Sequence, residues 1–162
     1  MSVRDCVQCD AITKKGTRCT RNTCKYPKQC FQHARKSTGL SLQPSSIPGS
    51  GVGLFSMKRI KKNQIISPYT GVNMSKQAYS ADRSGYGVYL PGNRVLDARS
   101  TQSSMARYAN SCRTTNKNQK HCPGNNAKLA YNARQGTYNL KATKVIPAGR
   151  EVFASYGQGF WR

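Results

Sequence analysis

The sequence predicts a mostly β domain, α+β in class, standing behind a small metal-stabilised N-terminal module. Short β-branched and aromatic runs recur after residue 50, separated by glycines. Five of the seven cysteines fall within the first thirty residues, followed at once by His33. With 162 residues the chain has room for one ordinary domain and a small appendage. Hydrophobic residues make up 36%, so the core is modest.

The strand expectations are residues 52–55, 65–69, 86–90, 94–96, 128–131, 138–142 and 151–153. Gly49, Gly51, Gly53, Gly71, Gly85, Gly87 and Gly92 mark turns between them. Residues 101–108 read as a short helix. The division runs 1–36 for the Cys/His module, 37–50 for a linker or first edge strand, and 51–162 for the β domain. Pro44, Pro48 and Gly49 favour a connection, whereas Leu40-Ser41-Leu42 favours a strand.

The module offers six candidate ligands: Cys6, Cys9, Cys19, Cys24, Cys30 and His33. A segment this short buries too little apolar surface to hold itself together, so it needs a metal or disulfides. In a reducing setting metal is favoured. Zinc takes four tetrahedral sulfur or nitrogen ligands, and the close pair Cys30 and His33 supplies two from one turn. Six candidates are two more than one site needs, so spacing alone leaves the set open.

Charge narrows the partners. Twenty-seven Lys and Arg face five acids, for a net charge of +22. Residues 1–36 carry nine basic and two acidic residues, net +7, and the rest of the chain carries +15. Such a surface is drawn to polyanions by counterion release. Nucleic acid is the natural partner, through nonspecific attraction or through the module, where Lys14, Lys15, Arg18, Arg21, Lys25 and Lys28 crowd together. No apolar run suits a membrane span or a secretory signal, which predicts a protein of the cell interior, or of a virion, without membrane insertion.

Ordinary hydrolytic constellations are missing. The five acids, Asp5, Asp10, Asp82, Asp97 and Glu151, are scattered, and His121 is the second domain's one histidine. No Gly-Lys-Ser/Thr phosphate loop occurs. Cys112, His121 and Cys122 make a weak case for a second metal site.

Four ordered segments carry a resemblance. Ser50-Gly51-Val52-Gly53-Leu54-Phe55 is followed by Ile60, Ile65-Ile66 and Tyr69-x-Gly71. Leu96-Asp97-Ala98 comes next, then Ala106-Arg107-Tyr108-Ala109-Asn110-Ser111-Cys112. The last runs from Ala142 through Ile146 and Gly149-Arg150-Glu151-Val152-Phe153 to Tyr156-Gly157. Together they resemble the signature of SET-domain protein-lysine methyltransferases over residues 40–162. The N-terminal segment, Cys9-Asp10-Ala11-Ile12-Thr13-Lys14-Lys15-Gly16-Thr17-Arg18-Cys19 with Cys30-x-x-His33, resembles a small zinc module of large DNA virus proteins. That likeness implies Cys9, Cys19, Cys30 and His33 as ligands, with Cys6 and Cys24 as spare thiols or alternative ligands, and a viral-type enzyme of the host nucleus or virion.

The SET resemblance implies a knot-like core in which the Asn-x-Ser-Cys segment, here Asn110-Ser111-Cys112, and the final Tyr-Gly strand thread together. It implies S-adenosylmethionine as cofactor and a lysine substrate, histone or another basic DNA-associated protein. Tyr156 matches the catalytic tyrosine, and Tyr69 and Tyr108 match walls of the channel or cofactor site. Gly51 and Gly53 would approach the methionine end of the cofactor, Asn110 its amino or ribose side, and Phe160 or Trp161 its adenine. Asn125 and Asn126 align with the family asparagine across an insertion. Two substitutions depart from the pattern: Ser111 stands for the family histidine, and Arg150 for a family acid. The cysteine-rich segment that often follows the domain has no counterpart, which raises a homodimer that completes the site. The competing reading is a catalytically inactive SET fold serving as a basic DNA-binding or virion component.

Overall fold

The computed structural model describes residues 5–112 and 122–156. In the N-terminal module, β1 (Val7–Gln8) and β2 (Asn22–Thr23) form an antiparallel pair, and Ile12 bridges Arg18 across a tight turn. α1 (Phe31–Thr38) closes the module. Gly39 ends it in the left-handed region at φ 72°, its N–H donating to the Arg35 carbonyl at 3.0 Å. Six potential ligands resolve into two groups here: Cys6 and Cys24 are disulfide-bonded, and Cys9, Cys19 and Cys30 keep free thiols. The two cysteines outside the implied quartet are therefore cross-linked to each other.

Residues 40–44 form a strand rather than a loose connection. β3 (Leu40–Pro44) pairs antiparallel with β4 (Val52–Ser56), placing Leu40 and Leu54 in the core. β5 (Ile65–Tyr69) lies at one edge of a four-stranded sheet. Its order is β11, β9, β10, β5, where β9 is Ala127–Asn132, β10 is Thr137–Ala142 and β11 is Ala154–Ser155. β11 runs parallel to β9, and the other pairs are antiparallel. A three-stranded sheet takes the order β6 (Val72–Ser75), β8 (Arg94–Asp97), β7 (Gly87–Leu90). Leu54, Val95, Leu140, Ile146 and Val152 are fully enclosed between these layers.

Several expectations change. The strand expected at 151–153 is reduced to a bridge between Glu151 and Phe55, and the strand proper follows at Ala154–Ser155. The helix expected over 101–108 contracts to a 3₁₀ turn, Met105–Tyr108, capped by the Ser104 hydroxyl. A helix the pattern did not suggest, α2 (Lys76–Ala81), is capped by Ser75, which accepts from the Ala78 N–H at 3.1 Å. Six residues are too few to show a helical period, so only the cap marked it.

The last strand lies against the 109–112 segment. The Ala154 N–H donates to the Asn110 carbonyl at 2.8 Å, and the Tyr156 hydroxyl donates to the Ala109 carbonyl. Asn126 ties both to β9: its Nδ2 donates to the Glu151 carbonyl, and its Oδ1 accepts from the Phe153 N–H, each at 2.9 Å. Cys112 is bonded to Cys122, and its N–H donates to Asn125 Oδ1 at 2.8 Å.

Candidate active site and metal centre

Strand ends and the 3₁₀ turn converge on a cleft of about 620 Å³. Its lining includes Ser50, Gly51 and Val52 from the start of β4, Tyr69 from the end of β5, and Ser84, Gly85 and Tyr86 before β7. Thr101, Arg107, Tyr108 and Asn110 also line it, with Tyr156 beyond β11 and Lys25 from the N-terminal module. The fold thus brings together five expected site residues: Tyr69, Tyr156, Gly51, Tyr108 and Asn110. Gly53 is not in this lining. Trp161 and Phe160 lie outside the described residues.

Tyr69 and Tyr156 are set deep. The Tyr69 hydroxyl donates to the Tyr86 carbonyl at 2.7 Å. Burial, with Tyr156 beside it, pushes that hydroxyl far above the usual tyrosine range. Burial does the same to Tyr156, reinforced by Tyr86. Both are therefore neutral hydrogen-bonding groups at any physiological pH.

Arg107 is the unexpected member. It is buried, its Nε donates to the Ala98 carbonyl at 2.7 Å, and its Nη2 donates to the Arg99 carbonyl at 3.2 Å. The guanidinium lies over the rings of Tyr86, 4.0 Å from the centroid, and Tyr108, 4.7 Å away. Its position in the Arg-Tyr-x-Asn run was legible, but its place between two aromatic faces depends on the turn before β7.

Glu151 explains Gly53. The buried carboxylate accepts from the Ser45 hydroxyl at 2.7 Å, the Ser46 N–H at 2.8 Å and the Ser46 hydroxyl at 2.6 Å. Asn110 Nδ2 approaches it at 3.3 Å while donating to the Val52 carbonyl at 3.1 Å. A Cβ on Gly53 would overlap Oε1 of this carboxylate and stand 2.8 Å from its Cδ. Gly53 makes room for Glu151, which in turn fixes Asn110 and the loop beneath Gly51. Arg150, the substituted neighbour, is exposed, so the acid kept in the sequence is the one that points inward. Ser111 is half-buried and does not line the cleft.

The N-terminal module gathers a second site. The ligand atoms of Cys9, Cys19, Cys30 and His33 all lie within 4.8 Å of one another, and the three cysteines are buried. His33 Nδ1 is 3.4 Å from Cys9 Sγ and 3.3 Å from Cys30 Sγ. A tetrahedral zinc with bonds of about 2.3 Å to sulfur and about 2.0 Å to nitrogen sets its ligands roughly 3.5–3.8 Å apart. The donor types fit, and the two distances from His33 lie close to that range. Burial raises the Cys9 thiol. At Cys30 burial also pushes upward, but hydrogen bonds led by the His33 backbone N–H and the Cys9 thiol bring it down to about 6. A thiol of that kind is readily a thiolate ligand.

Residues 51–157 match the family model described as SET domain. No curated protein matches the sequence. Among solved structures, the fold is similar to the methyltransferase domain of human PR domain-containing protein 2, at 19% identity and a TM-score of 0.57, over 78% of this chain and 83% of that one. It is also similar to ctPRC2 in an autoinhibited conformation bound to S-adenosylmethionine, with 22% identity and a TM-score of 0.61, over 77% of this chain and 16% of that chain. A humanized mutant of the Chaetomium thermophilum Polycomb Repressive Complex 2 bound to the inhibitor GSK126 gives 26% identity and a TM-score of 0.59, covering 76% and 15% respectively. The glycine-bearing β4, the Arg-Tyr-x-Asn turn and the closing Glu-to-Tyr segment all fall within the matched residues, and this chain belongs to the SET domain family.

Proposed function

We propose that the chain is an S-adenosylmethionine-dependent protein-lysine N-methyltransferase with a structural zinc site in its N-terminal module. The observation that carries this reading is the cleft itself, which combines two deep tyrosine hydroxyls, the Gly51 backbone and Asn110 without a carboxylate side chain among its described lining residues. Paired-carboxylate hydrolysis has no groups to work with among those residues. When bound, the cofactor supplies an electrophilic methyl group and leaves as S-adenosylhomocysteine.

The residues of the chain act on the amine. A lysine with a pKa of about 10.4 is almost wholly protonated at neutral pH. A dry aromatic wall lowers that value by desolvation and favours the neutral nucleophile. Tyr156 donates its proton to the Ala109 carbonyl, so its oxygen presents toward an amine N–H as an acceptor and orients the nitrogen. Tyr69 stands beside it, its hydroxyl held by the Tyr86 carbonyl. Asn110 and the backbone at Gly51 are assigned to the amino-acid end of the cofactor. Cys9, Cys19, Cys30 and His33 would hold zinc, which supplies folding energy rather than chemistry.

Charge shapes the substrate proposal. Asp97 and Glu151 are buried, Asp82 pairs with Arg99, and the Asp5 carboxylate accepts from Ser100. Asp10 and Asp82 are the exposed acids, which leaves little acidic surface to receive a free basic tail. The substrate we propose is a DNA-associated protein, histone or otherwise, presented on nucleic acid that bridges the two positive surfaces, in the nucleus or in a virion.

The test is calorimetric titration of S-adenosylmethionine into the purified full chain, with methylation then followed on nucleosomes and on free histones. Low-micromolar binding and activity on nucleosomes that declines with salt is the expected result. No detectable cofactor binding would replace this reading with the inactive basic binding protein.

A further inference from the structure

Lys25 lies outside the SET domain, between Cys24 and Tyr26, yet it lines the same cleft as Tyr156 and Asn110. Its backbone is anchored from both sides. The Tyr108 hydroxyl donates to the Lys25 carbonyl at 3.0 Å. Cys24 is bonded to Cys6, and the buried Tyr26 accepts from the Leu42 N–H at 2.8 Å through its hydroxyl. Gln102 of the SET domain accepts from the Lys28 N–H at 2.8 Å and donates to the Asp5 carbonyl at 2.9 Å. The segment from Lys25 leads in five residues to Cys30, a member of the candidate metal site.

Among the described residues, Lys25 and Arg107 are the two charged members of the lining, and both are cations. Arg107 is already committed to two backbone carbonyls and two aromatic faces. Lys25 stands at the exposed rim, where its ammonium can follow a ligand on its flexible stem. Among the groups of S-adenosylmethionine the carboxylate is the single anion, so a lysine at this rim has one group to attract and two, the sulfonium and the ammonium, to avoid.

Resting on the methyltransferase reading, we propose that the Cys/His module forms one wall of the cofactor cleft, that Lys25 binds the cofactor's carboxylate, and that metal occupancy sets cofactor affinity by holding Lys25 in place. The module is then a component of the binding site rather than a separate appendage.

The experiment titrates S-adenosylhomocysteine and 5′-methylthioadenosine, which lacks the amino-acid moiety, into the zinc-loaded full chain. Wild type, Lys25→Met and Lys25→Arg are compared, with thermal unfolding as the control for folding. Lys25→Met is expected to weaken S-adenosylhomocysteine about fivefold, the size of one charge-assisted contact at a half-open rim, and to leave 5′-methylthioadenosine unchanged. Lys25→Arg should stay within about twofold of wild type, since the charge is kept. Chelation of the metal should weaken S-adenosylhomocysteine at least as much as Lys25→Met, with recovery on adding zinc. Unchanged affinity in Lys25→Met, or an equal loss for both ligands, overturns the carboxylate assignment. Unchanged affinity after chelation overturns the role of the metal. Wild type that binds neither ligand removes the cofactor reading and this proposal with it.

Discussion

Gly53→Ala tests the packing around Glu151. The new Cβ would overlap Oε1, lie 2.8 Å from Cδ and 3.2 Å from Ser45 Cα. Backbone on one side and a fixed carboxylate on the other leave no room for small adjustment, so Glu151 must swing away. It then gives up part of its set of four donors on Ser45, Ser46 and Asn110. Losing two charge-assisted bonds costs about 3 kcal/mol, and residual overpacking adds about 1 kcal/mol. For a chain of this size, about 4 kcal/mol lowers the melting temperature by roughly 8–16 °C. Thermal and urea unfolding of Gly53→Ala, Glu151→Ala and the double variant measure it. Without the carboxylate, the added methyl has little to strike, so Gly53→Ala in the Glu151→Ala background should cost less than about 1 kcal/mol. Equal cost in both backgrounds would refute the reasoning, as would a nearly neutral Gly53→Ala in the wild type.

Other outcomes follow from the same geometry. Tyr156→Phe should reduce kcat by about a hundredfold or more, while calorimetry finds cofactor affinity within about threefold of wild type. The purified protein should contain one zinc per chain by elemental analysis, and Cys30→Ser should lose the metal and loosen the module as judged by proteolysis near Cys24. The tyrosine shifts give a pH dependence. An unfolded tyrosine ionises near pH 10, whereas Tyr69 and Tyr156 are held protonated in the folded chain. Their contribution to stability is full below that pH and declines as pH rises above it. Tyr69→Phe should therefore flatten the loss of stability between about pH 9.5 and 11 in urea titrations. A slope identical to wild type would count against its burial.

How much was legible in the sequence varies with the range of the contact. The strands around Gly53, Ile65, Val95 and Leu140 announce themselves through alternation and turn residues, because those signals lie within a few positions of one another. The quartet of Cys9, Cys19, Cys30 and His33 was indicated by resemblance, and the structure brings it together. Tyr69, Tyr108, Asn110 and Tyr156 were also named by their motifs. Their burial and partners were not, since each partner comes from a distant segment.

What the sequence determined by itself was a set of motif residues in local order, and the resemblance they carry implied a family and a ligand set. Tertiary structure alone decided that Gly53 makes room for Glu151, that Arg107 lies over the rings of Tyr86 and Tyr108, and that Lys25 reaches the cleft from another module. Ser46 meets Glu151 across 105 positions, and Tyr108 meets Lys25 across 83. Such pairings depend on sheet register and on the path of the chain between elements, and no short window of residues contains that information.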